Sequence, residues 1–541
     1  MKLRLAAIVA AIALLATAPA LVASQRPTSD RGPNPGDASS GPTLADRNLT
    51  LSTLAEGFIT PIGMAFIGDD DLLVIEKNTG RVVRVTGGEV GDTVLDLSVN
   101  NASERGLLGI ALDPDFPDDP AVYLFWTCRS TTPQDGDPFT PEEQTCNDEA
   151  MIGLPDTDDV LQVPLLGNRI DRFLWDGSAL TFDRNLETLL AFQNDGSPEP
   201  PGQGDSADGP HGAQPARGNH DGGVLAFGPD GKLYAIVGDL GRRGALQNLP
   251  CGPTATTCEG TDPATPDDQF GGPDPDDAHF SGVILRLNED GSTPTDNPFF
   301  AAGAAIGGEV GENIQRTFAY GIRNSFGMAF DPRSGNLWDQ ENGEDAFDEI
   351  NRVTAAENSG WIQIAGPAGR IHEFKQIETT SLHHEDFPNL QQFRWDPTRI
   401  ADTPAEARAR LFALPGSHYD DPEFSWKFVL APAALGFQDG RALGPQYDGD
   451  MFVGFSTTDT LGGPIFRFNL TGNRRALGFD DPRLADRVAD NVTFHDMTES
   501  ESLVFGTDFG IVTDIETGPD GNLFVVSLDH GVVYEISRAR R

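Results

Sequence analysis

Three short polar stretches concentrate the side chains that could do chemistry. In Gly218-Asn219-His220-Asp221-Gly222-Gly223, a histidine sits among glycines and short polar residues, with no apolar stripe for its ring to pack in. Such neighbours let backbone approach a ligand closely, and a neutral imidazole is a competent proton acceptor near pH 7. The bland alternative for His220 taken alone is a loop histidine that caps a turn. In Tyr320-Gly321-Ile322-Arg323-Asn324-Ser325-Phe326-Gly327, Arg323 offers a guanidinium that can steady developing oxyanion charge, with the Asn324 amide beside it. In Glu341-Asn342-Gly343-Glu344-Asp345-Ala346-Phe347-Asp348-Glu349-Ile350-Asn351, carboxylates crowd on both sides of a short turn.

The elements that must position these stretches are written as a repeat. An apolar strand, a Pro-Asp-Gly type turn and a second strand ending near an acidic residue recur along the chain. Gly63-Met64-Ala65-Phe66 precedes Leu72 to Glu76, and Gly109 to Pro114 precedes Val122 to Phe125. Further copies run from Val224 to Gly238, Gly327 to Glu341 and Ile515 to Asp529, and a weaker one from Ala434 to Gly454. Asp-Gly between alternating apolar runs is a strong hairpin signal, because glycine tolerates the positive φ of the turn. Recurring hairpins bury little alone and close into blades around a channel, so six copies predict an all-β, six-bladed β-propeller. The copies lie roughly 50 to 115 residues apart, more than the usual repeat of about 40 to 50, so long inserted loops must separate them. The three polar stretches flank the third and fourth hairpins, where propeller loops surround the channel mouth.

The N-terminus has Lys2 and Arg4, an apolar run from Leu5 to Leu15 and small residues at Ala18-Pro19-Ala20 and Ala23, the layout of a signal peptide over residues 1–23. A polar Ser/Pro/Gly/Asp leader over 24–49 reads as disordered, and the propeller as 50–541. The chain is thus expected to be secreted or periplasmic, with no membrane span. Four cysteines form two local pairs, Cys128 with Cys146 and Cys251 with Cys258, which export would allow to close as disulfides; neither pair has zinc-site spacing. The formal net charge is -45, with 83 Asp and Glu against 38 Lys and Arg, which argues against nucleic acid as a partner. Lysine occurs only at positions 2, 77, 232, 375 and 427, so an anionic ligand needs locally placed cations.

An ordered set of motifs carries a resemblance. Glu104-Arg105-Gly106-Leu107-Leu108-Gly109 with Asp113-Pro114-Asp115-Phe116 is followed by Asn219-His220, Pro229-Asp230-Gly231 and Gly238-Asp239. Ile284 to Asn288, Gly321-Ile322-Arg323-Asn324, Asp348-Glu349-Ile350-Asn351 and Asn358-Ser359-Gly360-Trp361 complete it. Together they resemble the soluble quinoprotein glucose/sorbosone dehydrogenases, also called PQQ-dependent aldose sugar dehydrogenases, over Leu54 to Ile536. The resemblance implies a six-bladed propeller that oxidises an aldose at the anomeric carbon to a lactone, with PQQ as hydride acceptor and an external electron acceptor. It gives His220 the role of base and Arg323 that of polarising the quinone oxygen, with Asn324 on the cofactor. It places Ca2+ at Gly343 and Glu344 with Asp348 and Glu349 nearby, and sets Glu104 and Asn219 toward the sugar.

Departures from the family pattern concern charge. PQQ carries three carboxylates, and the family meets them with a lysine near the fifth blade and two arginines before the last hairpin. Here those positions read Ser456, Ile511 and Thr513, and Glu344 stands where proline is common. Several charge-assisted bonds of roughly 1.5–3 kcal/mol each are thereby lost. The alternative reading is accordingly a propeller without PQQ that binds carbohydrate or protein outside the cell.

Overall fold

The computed structural model of the chain describes residues 41–101, 104–128, 167–189, 220–240, 281–380 and 400–540. The expected signal peptide, Asn219, and Cys146, Cys251 and Cys258 lie outside these residues.

Among the described residues, strands form six sheets, antiparallel except where Phe424–Phe428 pairs parallel with Val488–Ala489. The first blade is Pro61–Gly68, Asp71–Glu76, Arg81–Thr86 and Glu89–Asp96, and the second Leu107–Leu112, Ala121–Thr127, Asn168–Trp175 and Leu180–Leu189. The third is Leu225–Phe227, Leu233–Val237, Val283–Leu287 and Thr317–Tyr320, and the fourth Gly327–Phe330, Leu337–Glu341, Ala346–Val353 and Phe424–Phe428. The fifth begins with Pro432–Phe437, Met451–Phe455 and Ile465–Thr471, and the sixth with Val512–Thr517, Leu523–Ser527 and Val532–Arg538. The six hairpins of the sequence repeat are the first two strands of each blade. Every inner strand touches the inner strand of the next blade, and the sixth returns to the first, which closes the propeller ring.

Both ends of the described chain take part in that closure. Leu49–Glu56 pairs antiparallel with Val532–Arg538 as the outer strand of the sixth blade. Thr43–Leu44 pairs with Val504–Thr507 in the fifth. The ordered fold therefore starts inside the segment expected to be a disordered leader, because Thr43, Leu44 and Leu49 supply backbone and apolar partners to blade edges.

Gly109 and Gly327, which open two of the hairpin repeats, have a packing reason. At Gly109, a Cβ would lie 2.0 Å from the carbonyl oxygen of Gly223 in the neighbouring blade, so only hydrogen fits where the inner strands converge. Away from the axis, apolar faces fill the space between blades, with Trp126, Trp338 and Trp426 fully buried.

Helices are present but short. Phe300–Ile306 and Gly308–Arg316 lie in the third blade, and Ile371–Thr380 and Pro404–Arg410 lie in the insertion of the fourth. That insertion is no solvated loop: Ile371, Phe374, Ile377, Ile400 and Ala407 pack with Phe347 and Trp361 in one buried cluster. No helix among the described residues is long and apolar enough to cross a membrane.

Candidate active site

The strand Leu233–Val237 is fully apolar and ends at Gly238-Asp239, which brings Asp239 under the loop that carries His220. His220 has a positive φ of 62° and is buried. Its Nδ1 lies 2.6 Å from Asp239 Oδ1, and the Trp361 indole N–H donates to Asp239 Oδ2 at 2.8 Å. Burial alone would raise the Asp239 carboxyl, but His220, Arg323 and Trp361 outweigh it and hold the group below the ordinary carboxylate range. An ionised carboxylate only accepts hydrogen bonds, so Nδ1 is the ring nitrogen that donates to Asp239.

Gly238 makes this approach possible. A Cβ there would lie 2.3 Å from the His220 carbonyl oxygen and 2.8 Å from that of Arg323. The Asp239 N–H donates to the Arg323 carbonyl at 2.7 Å, so base and guanidinium are fixed to one strand end.

Arg323 is buried with its guanidinium 5.4 Å from the Trp361 ring centroid. It donates to the Asn342 carbonyl at 2.7 Å and pairs with Glu344, while its own N–H donates to Glu341 Oε2 at 2.9 Å. Burial would weaken its charge, but Glu344 and Asp239 raise its affinity for the proton. Asn324 Nδ2 donates to Glu104 Oε2 at 3.1 Å, and the same oxygen accepts the His220 N–H at 2.6 Å. Glu104 thus ties the base loop to the Arg323-Asn324 loop, a structural job beyond the substrate-facing role expected for it. Arg323 Nε and Asn324 Oδ1 are buried with no hydrogen-bond partner among the described residues.

The expected carboxylate ligands for Ca2+ do not converge on one point. Asp348 accepts from the backbone N–H groups of Gly343 at 2.8 Å, Ala431 at 2.8 Å and Leu430, and so pins two loops together. Glu349 is engaged by Gly366 N–H and by Asn351 at 3.3 Å. The resemblance sets both beside Gly343 and Glu344, but Asp348 and Glu349 are consecutive in the strand Ala346–Val353, where alternation turns their side chains away from each other. A second brace was not foreseen: Glu378, from the insertion helix, accepts from Asp345 and Ala346 N–H at 3.1 Å each. Among the described residues, the His/Cys/Asp/Glu group whose ligand atoms lie close together is Glu357, His418 and Asp420, elsewhere in the fold.

A cavity of about 530 Å³ runs between the inner strands and takes Glu104, Gly222, Ser456, Ile511, Thr513 and Leu528 into its wall. That volume suits a small-molecule site of roughly 300–1,000 Å³. Ser456, Ile511 and Thr513 therefore do face the channel, as their alignment with cation positions implied. Asp514 and Glu516 also line it; burial pushes Asp514 up to about 7, and burial beside Asp514 raises Glu516 well above its usual range.

Sequence reasoning missed Asp239 and Trp361 as parts of the base assembly, although both lie in quoted motifs. The findable signal for Asp239 was a lone acid directly after a fully apolar strand, a place where a carboxylate must have a partner.

Comparison with known proteins comes out on the same side as the geometry. The Glucose / Sorbosone dehydrogenase family profile matches residues 58–146 and 211–402, more than half of the chain. Quinoprotein glucose dehydrogenase B of Acinetobacter calcoaceticus is 28% identical over 331 residues, covering 59% of this chain and 53% of that protein. Aldose sugar dehydrogenase YliI of Escherichia coli (strain K12) is 25% identical over 311 residues, covering 57% of each. The chain spans little more than half the length of these two relatives. The crystal structure of the soluble aldose sugar dehydrogenase from Escherichia coli in the apo-form superposes with a TM-score of 0.54 at 20% identity, covering 91% of this chain and all of the other. A glucose dehydrogenase crystal structure gives 0.55 at 18%, again with 91% of this chain. At such identities the likeness is one of fold.

Proposed function

The chain belongs to the glucose/sorbosone dehydrogenase family, and from that premise we propose that it is an exported dehydrogenase that oxidises an aldose at its anomeric hydroxyl to a lactone. The observation that carries the proposal is the buried His220–Asp239 pair with Arg323 and Asn324 beside it, tied through Glu104 to the wall of the cavity. A pure binding module has no need of a buried, oriented base opposite a buried guanidinium.

His220 Nε2 takes the proton of the sugar hydroxyl. Asp239 holds the ring in the tautomer that leaves Nε2 free and stabilises the imidazolium that forms. Arg323 and Asn324 would hold the cofactor: Arg323 Nε and Asn324 Oδ1, buried and with no hydrogen-bond partner among the described residues, are polar atoms of the kind that a polar, planar ligand satisfies. PQQ, when bound, supplies a two-electron orthoquinone acceptor. Trp361, under the guanidinium, keeps that side dry and strengthens the local electrostatics. A Ca2+ ion at the Gly343-Glu344 turn would rest on main-chain oxygens rather than on Asp348 or Glu349, in keeping with the cation's preference for hard oxygen donors. An external acceptor would take up the two electrons.

The test is a titration of the metal-stripped mature protein with PQQ in calcium buffer, followed by dye reduction on a panel of aldoses. Sugar-dependent turnover lost in His220→Ala supports the enzyme. Folded protein that binds no PQQ at micromolar concentration sinks it and favours the carbohydrate- or protein-binding propeller, for which the cation-poor channel wall at Ser456, Ile511 and Thr513 speaks.

A further inference from the structure

Glu357, His418 and Asp420 have no part in the base assembly, and they come from two segments that only the fold brings together. Glu357 lies in the turn after the third strand of the fourth blade, Ala346–Val353, while His418 and Asp420 lie near the end of the insertion that leads into the fourth strand, Phe424–Phe428. Main-chain bonds fix the meeting. Asn358 N–H donates to the His418 carbonyl at 2.8 Å and His418 N–H to the Ala356 carbonyl at 3.1 Å, so Glu357 and His418 pair as a parallel β-bridge. Tyr419 packs against the buried cluster of the insertion, and its two neighbours turn to Glu357. One ligand atom from each of the three side chains lies within 4.8 Å of the other two.

Acidic residues crowd the surface of a chain with net charge -45 without binding anything, but this group has two features of a built site. The first is a buried, half-used carboxylate. Glu357 is 3% exposed, and its Oε2 accepts from Thr354 N–H at 2.6 Å and Thr354 Oγ1 at 3.0 Å, while Oε1 accepts no hydrogen bond from the described residues. Burial pushes this carboxyl up to about 7, and Asp420 adds to the rise, against the Thr354 bonds and Arg352. A buried carboxylate so placed gains from a cation. The second feature is a nitrogen donor at metal-site spacing. Donors about 2.0–2.2 Å from a tetrahedral ion stand about 3.4 Å apart, and His418 Nε2 is 3.6 Å from Asp420 Oδ2. Nε2 rests 2.8 Å from Thr354 Oγ1, a neutral contact that an ion would replace.

We propose that Glu357, His418 and Asp420 form a binding site for a divalent transition-metal ion of the zinc class. One imidazole with two carboxylates is a donor set that zinc accepts, whereas calcium and magnesium take oxygen ligands. His418 and Asp420 are 41% and 55% exposed, so water reaches the remaining coordination position. The ion clasps the insertion onto the loop that runs through Asn358-Ser359-Gly360 to Trp361, whose indole holds Asp239. It thus steadies the base assembly from outside, and it is independent of any cofactor in the channel.

The experiment is calorimetric titration of the metal-stripped full-length protein with ZnCl2, with visible absorption of the Co2+ form in parallel and CaCl2 as the control cation. The wild-type protein is expected to bind an equivalent of zinc that His418→Ala and Asp420→Asn each weaken roughly tenfold or more, with the Co2+ bands lost in His418→Ala. Zinc should raise the melting temperature of the wild type by a few degrees and leave both variants unmoved. Both substituted side chains are exposed, so the variants keep the fold, which their metal-free melting temperatures check. His383-His384 is another zinc-binding possibility in the sequence, so the difference between wild type and variants decides. Equal zinc affinity in all three proteins overturns the assignment, as does a wild-type protein with no saturable binding. Calcium bound as tightly as zinc, and lost in the same variants, overturns the metal class.

Discussion

Asp239 lies 2.6 Å from the Nδ1 of His220 and turns its other oxygen to the Trp361 indole, so the base is oriented by a carboxylate that is itself held in place. Replacing Asp239 by Asn keeps the shape but removes the charge and permits the wrong tautomer, in which Nε2 carries the proton. Turnover of Asp239→Asn is expected to fall by roughly 10²- to 10⁴-fold, with cofactor binding little changed. Steady-state dye reduction beside a PQQ titration checks this; a loss confined to KM would contradict the role.

The buried Arg323–Glu344 pair makes a different prediction. Removing Glu344 leaves a guanidinium with less compensation in a water-poor site, and breaking such pairs costs about 3–5 kcal/mol. Asp239 still neutralises part of the charge, so Glu344→Ala is expected at the lower end of that range. Urea unfolding measures it, and an unaltered midpoint would show that the pair carries no net stability.

Gly238→Ala tests the strand end that joins the two halves of the site. The added methyl meets two carbonyl oxygens, from His220 and Arg323, neither of which is a flexible side-chain tip. Overpacking of this kind costs roughly 1–3 kcal/mol, and the displaced His220 should lose most of its activity. An active, equally stable Gly238→Ala would mean that the loop yields easily.

Stability should respond to pH in an unusual direction. Burial raises Asp221, Glu341, Glu357 and Asp514 to about 7 and Asp348 to about 6. Where the folded-state pKa exceeds the unfolded one, the folded form binds the proton more tightly. Their stabilisation is complete below the unfolded values near 4 and is lost as pH rises through 6 to 7. Asp239 and Asp331 act oppositely: they are held low against burial, and their contribution is lost only as pH falls below about 4. The melting temperature is therefore expected to be a few degrees higher near pH 5 than at pH 8. Calorimetry in high salt, which suppresses repulsion from the net charge of -45, is the check, and a flat profile would refute it.

The architecture is legible along the chain because each blade's hairpin is local: Gly63-Met64-Ala65-Phe66 and its five counterparts state strand, turn and strand within 14 to 21 residues. His220, Arg323 and Asn324 stand out in the chain through the ordered set of motifs around them, which is what the proposed roles build on. Their neighbours come from the folded ring. Glu104 meets His220 across 116 positions and Asn324 across 220, and Trp361 meets Asp239 across 122. Asp348 and Glu349, adjacent in sequence, part company because neighbouring residues of a strand face opposite sides. A propeller brings loops from distant blades to one axis, so its site chemistry is set by ring closure, and ring closure leaves no short-range trace in the chain.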